Sequence, residues 1–103
     1  MEIIKFIREI TWLGSIETGW GNGYVAVPKE HPLYGKDYNN IDIDIHGGLT
    51  YASNYWDWMP KEVEGMWVFG FDCAHYGDNL QTCPKEFVEE ETERLYQSIL
   101  NYK

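Results

Sequence analysis

The clearest hydrophobic pattern in the chain is a strict alternation of apolar and polar residues at positions 41–46. Isoleucine occupies positions 41, 43 and 45, and the positions between and after them carry Asp42, Asp44 and His46. Because successive side chains of a strand point to opposite faces, we predict a strand with one apolar and one polar face. It is expected to be the third strand of a sheet.

Three further strands are predicted from β-branched and aromatic content, one at residues 3–13 and most firmly over 8–13, and the others at residues 24–27 and 65–75. A glycine-rich connection at residues 14–22 joins the first two as a hairpin, and Pro28 ends the second. The buried set of the last strand is expected to be Trp67, Phe69, Phe71 and Cys73. That parity places Asp72 on the same side of the sheet as Asp42, Asp44 and His46.

A helix is predicted from Pro84 to the end of the chain, with Thr82 or Cys83 as its cap. Glutamates crowd its first turns, where the helix dipole favours negative charge. One apolar stripe follows at helical spacing, made of Val88, Thr92, Leu95, Ile99 and Tyr102. The sequence thus predicts a single α+β domain over residues 1–103. We expect a curved, mainly antiparallel sheet of about four strands, with the C-terminal helix packed on the isoleucine face.

Two long connections flank these strands, at residues 28–40 and 53–60. The second carries several large aromatic side chains, among them Trp56 and Trp58, which is unusual for a loop. One interpretation is a loop folded back over the core, and the other is a patch that contacts a partner. Together with the polar strand face, the two loops are expected to frame an open functional face.

The composition is acidic, with 8 Lys and Arg against 17 Asp and Glu and a net charge of −9. Such a surface repels nucleic-acid backbones and anionic membranes, so we expect neither as a partner and favour a partner with a basic surface. Charged residues interrupt positions 1–10, and no stretch approaches the roughly 20 apolar residues of a membrane span. We therefore expect a cytoplasmic protein, whose two cysteines are reduced and independent.

The residues around His46 are the first candidate for chemistry. Gly47 and Gly48 open space beside it, and Asp72 is expected on the same face from the neighbouring strand. A carboxylate that orients a histidine is the minimum for general acid–base catalysis. The alternative is a structural hydrogen bond at the end of the sheet.

Thr50, His75 and Asp78 complete the candidate ligand-binding or partner-binding set. The His and Asp residues include nitrogen and oxygen ligands suitable for a divalent ion. The chain has no paired-cysteine knuckle and no His-Glu-x-x-His helix, however, so we expect no metal and no cofactor. Cys73 is expected on the core face, where a thiol is inert rather than nucleophilic.

Two motifs are distinctive: His-Gly-Gly-Leu-Thr-Tyr at residues 46–51 and Gly-Phe-Asp-Cys-Ala-His-x-Gly-Asp at residues 70–78. With the segments at 23–28 and 31–38 and the terminal helix, they resemble a family of small uncharacterised proteins of bacteriophages and related mobile elements. The resemblance implies a phage-type accessory protein, a class in which antagonists of host defence are common.

Two functions from different classes follow from these features. The favoured one is a non-catalytic protein that binds and inhibits a host factor. Like an anti-CRISPR protein, it would target a host-defence component or the small-molecule signalling ligand of that component. The alternative is a small hydrolase-like enzyme in which Asp72 orients His46 as general base, with or without the help of a metal ion.

Overall fold

The computed structural model describes residues 2–10, 18–75 and 77–102 of the chain. Its elements are four strands and one long helix: β1 (Ile4–Glu9), β2 (Gly21–Val27), β3 (Tyr51–Asn54), β4 (Trp67–Asp72) and α1 (Lys85–Leu100). The strands form one sheet in the order β1-β2-β4-β3, and every neighbouring pair is antiparallel. The predicted α+β architecture is confirmed, although the sheet is only weakly curled.

The register of the two central strands decides which side chains face the helix. Val25 lies opposite Phe69, and Tyr24 lies opposite Gly70. Because side chains alternate between the faces, Val25 and Phe69 pack under α1 while Tyr24 points to the opposite side. Both faces are covered, so every residue of β2 is buried. A continuous apolar run such as residues 24–27 is typical of a strand buried in this way.

Helix α1 packs its predicted stripe onto the sheet. Val88, Thr92, Leu95 and Ile99 are all buried, which confirms the stripe except at the half-buried Tyr102. The predicted cap is wrong by one or two positions, since Pro84 is the N-cap and the helix begins at Lys85. Proline fits there because it has no N–H group to leave unpaired.

The predicted third strand is the main error in the fold. Residues 41–45 keep their alternation, with the isoleucines turned inward and Asp42 and Asp44 exposed, but they belong to no strand. Their neighbour is α1: Arg94 Nη2 donates to the carbonyl of Asp44, and the N–H of His46 donates to Glu91 Oε2. Side chains of the helix thus take the place of a partner strand. The sheet position beside β4 belongs to β3 instead.

The expectation of an open face is also wrong. The face that carries Tyr24 and Gly70 is covered by residues 55–66, which contribute the buried Met59 and Val63 to a second core. Trp58 packs against Tyr24 with ring centroids 5.2 Å apart. The aromatic loop is therefore folded back over the sheet.

The first hairpin agrees with its prediction in part, but β2 begins at Gly21, inside the connection expected at residues 14–22. β1 begins at Ile4 and ends at Glu9, inside the strand expected at residues 3–13 but largely ahead of residues 8–13, where it was expected most firmly. The Ile10 N–H donates to the Trp20 carbonyl at 2.9 Å, as the predicted hairpin requires. The rest of both expectations falls on residues 11–17, which lie outside the described residues. Within the described part of the chain, no helix is long and apolar enough to cross a membrane.

Candidate metal centre

Four potential metal ligands meet at one end of the sheet, on the side of α1. One donor atom from each lies within 4.8 Å of the donor atoms of the other three, and the residues are His46, Cys73, Asp78 and Cys83. Cys73, Asp78 and Cys83 are buried, and the His46 side chain is 27 % exposed. Four convergent N, O and S donors at this spacing are typical of a closed metal site.

Three of the ligands come from one short segment with regular spacing. Cys73 follows the end of β4, Asp78 comes five residues later, and Cys83 comes five residues after that. A turn at Asn79 folds the segment: its side-chain oxygen accepts the N–H group of Thr82, and its carbonyl accepts that of Cys83 at 2.8 Å. This turn delivers Cys83 to the start of α1, back beside Cys73.

The fourth ligand arrives on a glycine turn. Gly47 and Gly48 have positive φ angles of 66° and 80°, and the Gly48 N–H donates to the Ile45 carbonyl at 2.8 Å. Few residues other than glycine adopt this conformation without strain. The turn aims the His46 ring at the cluster, where Phe87 packs edge-on against it with centroids 5.2 Å apart.

The hairpin between β1 and β2 closes the site from the other side. The Gly19 N–H donates to the Cys73 carbonyl at 2.7 Å, and the Trp20 N–H donates to the Cys83 carbonyl at 2.8 Å. A Cβ atom at Gly19 would overlap the β-carbons of both cysteines. Only glycine therefore allows the hairpin to approach and bring the two thiols together.

The distances among three of the four donor atoms fit a tetrahedral ion. His46 Nε2 lies 3.0 Å from Asp78 Oδ1, Cys83 Sγ lies 3.4 Å from the same oxygen, and Cys83 Sγ lies 3.7 Å from His46 Nε2. Zinc bonds of 2.0–2.3 Å in a tetrahedron place the ligand atoms roughly 3.3–3.8 Å apart. The three atoms thus need to move by only a few tenths of an ångström to bind one.

The Asp78 carboxylate is held by hydrogen bonds on both oxygens. Oδ2 accepts the N–H of His75 at 2.9 Å, and Oδ1 faces His46 and the Cys83 thiol. Burial disfavours the charged form, but these hydrogen bonds outweigh it and hold the pKa of Asp78 below its usual range. The carboxylate is therefore fixed in the charged form that binds a metal.

The same contacts do not make a nucleophile. In a Cys-His-Asp triad the thiol and the carboxylate contact opposite nitrogens of the imidazole ring. Here both Cys83 Sγ and Asp78 Oδ1 face the same atom, His46 Nε2. Burial also raises the pKa of Cys73 and of Cys83, so neither is an activated thiolate on its own. A coordinating thiol, by contrast, is deprotonated by its ion.

The expected pairing of His46 with Asp72 is wrong, because Asp78 takes that place. Asp72 belongs to a second group, in which Thr50 Oγ1 donates to Oδ2 at 2.9 Å and the Ala74 N–H donates to Oδ1 at 3.0 Å. His75 Nε2 lies 3.3 Å from Asp72 Oδ1, an ion-pair distance without hydrogen-bond geometry. The Asp72 and His75 side chains are each about one-third exposed.

The remaining predicted site residues lie elsewhere. Asp44 is fully exposed, with its carboxylate 4.0 Å from Arg94, and Asp42 points to solvent on the same segment. Trp58 is packed against the sheet, while Trp56 is 58 % exposed and donates to Ser53 Oγ at 2.8 Å. None of these four residues contributes a donor atom to the cluster.

The cysteines are free thiols in the structure. The expectation that they are independent is wrong, since both belong to one cluster. Sequence reasoning missed Cys83 as a site residue and Gly19 as the residue that brings the thiols together. The regular spacing of Cys73, Asp78 and Cys83 was the available signal. This spacing is longer than the spacing between the paired cysteines of familiar zinc motifs.

No protein-family model, curated protein or solved structure matches this chain, so its site is characterised by its geometry alone.

Proposed function

We propose that this chain is a non-catalytic binding protein whose fold is closed by one structural zinc ion at His46, Cys73, Asp78 and Cys83. The observation that carries the proposal is the convergence of these four donor atoms within 4.8 Å. One nitrogen, one oxygen and two sulfur donors suit zinc better than magnesium or calcium, which prefer oxygen ligands.

The geometry favours a structural over a catalytic role for the ion. Catalytic zinc sites use three protein ligands and keep a fourth position for water or substrate. Here the protein supplies four donors, and the Gly19 backbone and the Phe87 ring pack against them. The ion would connect the end of β4, the start of α1 and the turn after residue 45. Its role is to fix these three segments relative to each other.

The binding role rests on the surface charge and on the resemblance to phage accessory proteins. A net charge of −9 attracts basic partners and repels nucleic acids. A host protein with a basic surface is therefore the partner class we propose, and inhibition follows if that surface normally binds nucleic acid. A small-molecule signalling ligand is the second partner class.

The hydrolase alternative has less support. Its general base was to be His46, but Nε2 of this ring faces both Asp78 Oδ1 and Cys83 Sγ. A base must have a free lone pair within reach of the proton that it abstracts. In the cluster, that nitrogen is directed at the other ligands instead of at a substrate.

Native mass spectrometry of the freshly purified protein tests the metal assignment. We expect one zinc ion per chain, and its loss in the Cys83→Ser variant. The matched control is Thr82→Ser, which changes the neighbouring residue but keeps its hydroxyl group. A protein that carries no ion after exposure to zinc, or a Cys83→Ser variant that retains it, would contradict the assignment.

Affinity capture from a bacterial host lysate, with mass spectrometry of retained proteins and small molecules, tests the binding role. We expect a basic protein to be retained at low salt and released as the ionic strength rises, because exposed charges are screened. Turnover of ester or phosphoester substrates that disappears in His46→Ala would instead support the hydrolase.

A further inference from the structure

Within the part of the chain that the structure describes, the free edge of β1 is the strongest feature that has no role yet. β1 lies at one end of the sheet and, within the described residues, pairs only with β2. The Ile10 N–H bonds to Trp20, and bonded pairs alternate along an antiparallel ladder. The N–H and C=O groups of Lys5, Ile7 and Glu9 therefore point away from β2, toward the open edge.

A groove runs along each side of this edge. The groove on the helix side has a volume of about 200 Å³ and is lined by Lys5, Phe6, Ile7, Glu89 and Thr92. The groove on the loop side has a volume of about 270 Å³ and is lined by Phe6, Ile7, Arg8, Trp58, Met59 and Pro60. Both grooves include Phe6 and Ile7, so they flank the same stretch of strand. Successive side chains of an added strand point alternately toward the two grooves.

The two grooves differ in their chemistry. The carboxylate of Glu89 lines the helix side, and three more acidic side chains of α1 are exposed or half-exposed: Glu86, Glu90 and Glu93. Lys5 does not cover the edge, because its ammonium group pairs with Glu93 and lies 5.5 Å from the centre of the Tyr96 ring. The loop side is formed largely by Phe6, Trp58 and Met59. One side is thus suited to cations and the other to apolar groups.

We propose that a partner protein adds an extended segment to the free edge of β1, with basic residues alternating with apolar ones. Main-chain hydrogen bonds to Lys5, Ile7 and Glu9 align the segment, and the two grooves select its side chains. The basic side chains lie over Glu89, and the apolar side chains pack beside Trp58. The inference rests on the proposed binding function and names the surface that performs it.

A second copy of the chain is a poorer occupant of the same edge. Antiparallel pairing of two β1 strands in one continuous sheet places both α1 helices on the same face, next to each other. Each copy carries a net charge of −9, so the acidic side chains that two copies bring to the shared edge repel each other. A basic segment removes this repulsion and gains attraction from the same carboxylates.

Amide hydrogen exchange locates the bound segment directly. The probe is a synthetic peptide of roughly seven residues in which lysine and valine alternate, long enough to span β1. We expect the amides of Lys5, Ile7 and Glu9 to gain protection with the peptide, whereas Phe6 and Arg8 are already protected by β2. A peptide in which glutamate replaces lysine should leave all five unchanged. Absence of protection by the lysine peptide overturns the proposal, and protection that grows with protein concentration alone assigns the edge to a second copy.

A pair of charge-reversal variants tests the helix side. Glu89→Lys, on the wall of the groove, should weaken binding of the lysine peptide by about fivefold, the upper range for one exposed charge pair. Glu90→Lys makes the same change in charge on the next residue, which does not line the groove, and should have a smaller effect. Equal effects of the two would mean that only net charge matters, and would overturn the docking site. A host protein that binds the chain without protecting the β1 edge would overturn this site but leave the proposed binding function intact.

Discussion

Two histidine–aspartate pairs lie side by side at one end of the sheet, and their surroundings differ. The rings of His46 and His75 are 5.9 Å apart. Asp78, the partner of His46, is only 7 % exposed, whereas the side chain of Asp72, beside His75, is 31 % exposed. The same two residue types thus make a buried centre in one case and a solvated surface pair in the other.

The difference shows that burial and neighbours, not residue identity, define the site. Exposed ion pairs typically contribute about 0–1 kcal/mol, because water screens the charges. A buried carboxylate depends on its partners, since water cannot replace them. Asp78 also has two thiols beside it, and Asp72 has the hydroxyl group of Thr50. Only the first set provides donors for a soft metal ion.

Removal of the proposed zinc ion should have the largest effect on stability, because only the buried pair belongs to the candidate metal centre. At a free zinc concentration a thousandfold above the dissociation constant, binding stabilises the fold by about 4 kcal/mol. For a chain of this size, a chelator should then lower the melting temperature by about 15–30 °C in differential scanning calorimetry. Cys83→Ser should melt at the same temperature with and without the chelator. An unchanged wild-type melting temperature would contradict the role of the ion.

The two carboxylates can be compared by the same isosteric substitution. Asp78→Asn removes a buried charge that accepts several hydrogen bonds, and should lower the free energy of unfolding by roughly 2–3 kcal/mol even without zinc. Asp72→Asn should cost less than about 1 kcal/mol, because its partners are partly exposed. Urea denaturation of both variants measures the difference. Similar losses in the free energy of unfolding would show that the two pairs contribute equally to stability.

The glycine turn between the pairs gives a third comparison. A Cβ atom at Gly47 would overlap the His75 ring, whereas a Cβ atom at Gly48 meets nothing within 4 Å. Both positions have positive φ angles and share the cost of backbone strain. Gly47→Ala should therefore be less stable than Gly48→Ala by about 1–2 kcal/mol, the cost of displacing the ring. Equal stabilities in urea denaturation would show that the ring moves aside freely.

The smallest effect is expected at Thr50, which lies beside the exposed pair of Asp72 and His75. Thr50→Val removes the hydroxyl group that donates to Asp72 but keeps the shape of the side chain. Because that carboxylate remains solvated, the free energy of unfolding should change by no more than about 0.5 kcal/mol. Zinc content, measured by native mass spectrometry, should not change. A variant that loses zinc would show that the two groups are coupled.

Much of the fold could be predicted from local patterns. The helix stripe from Val88 to Ile99 and the buried run at residues 24–27 both reflect burial against elements that the pattern itself implies. The strand predicted at residues 41–45 was wrong, because alternation reports which side chains are buried and not which segment the backbone pairs with. A segment that lies against a helix can show the same period as a strand. The position of β3 depended on pairing with β4, which no local pattern encodes.

The candidate site could be predicted only in part. His46 and Asp78 were selected, because a polar residue beside glycines or at a turn is a recognisable signal. Cys73 and Cys83 were assigned to separate elements, and their meeting depends on Gly19 of a distant hairpin. Strand parity also assigned Asp72 to His46, whereas the turn after Cys73 brings Asp78 there instead. Long-range packing therefore determines which of the two carboxylates enters the centre.

The central claim is that two thiols, one imidazole and one carboxylate bind a single ion, and cobalt substitution tests it most directly. Cobalt(II) added to the reduced, metal-free protein should give the intense visible bands of a tetrahedral site and a thiolate-to-cobalt charge-transfer band, saturating at one ion per chain. The charge-transfer band should weaken in Cys73→Ser and disappear in the double variant with Cys83→Ser, and Asp72→Asn should leave the spectrum unchanged. Weak octahedral absorption, or a spectrum that survives the loss of both thiols, would contradict the account.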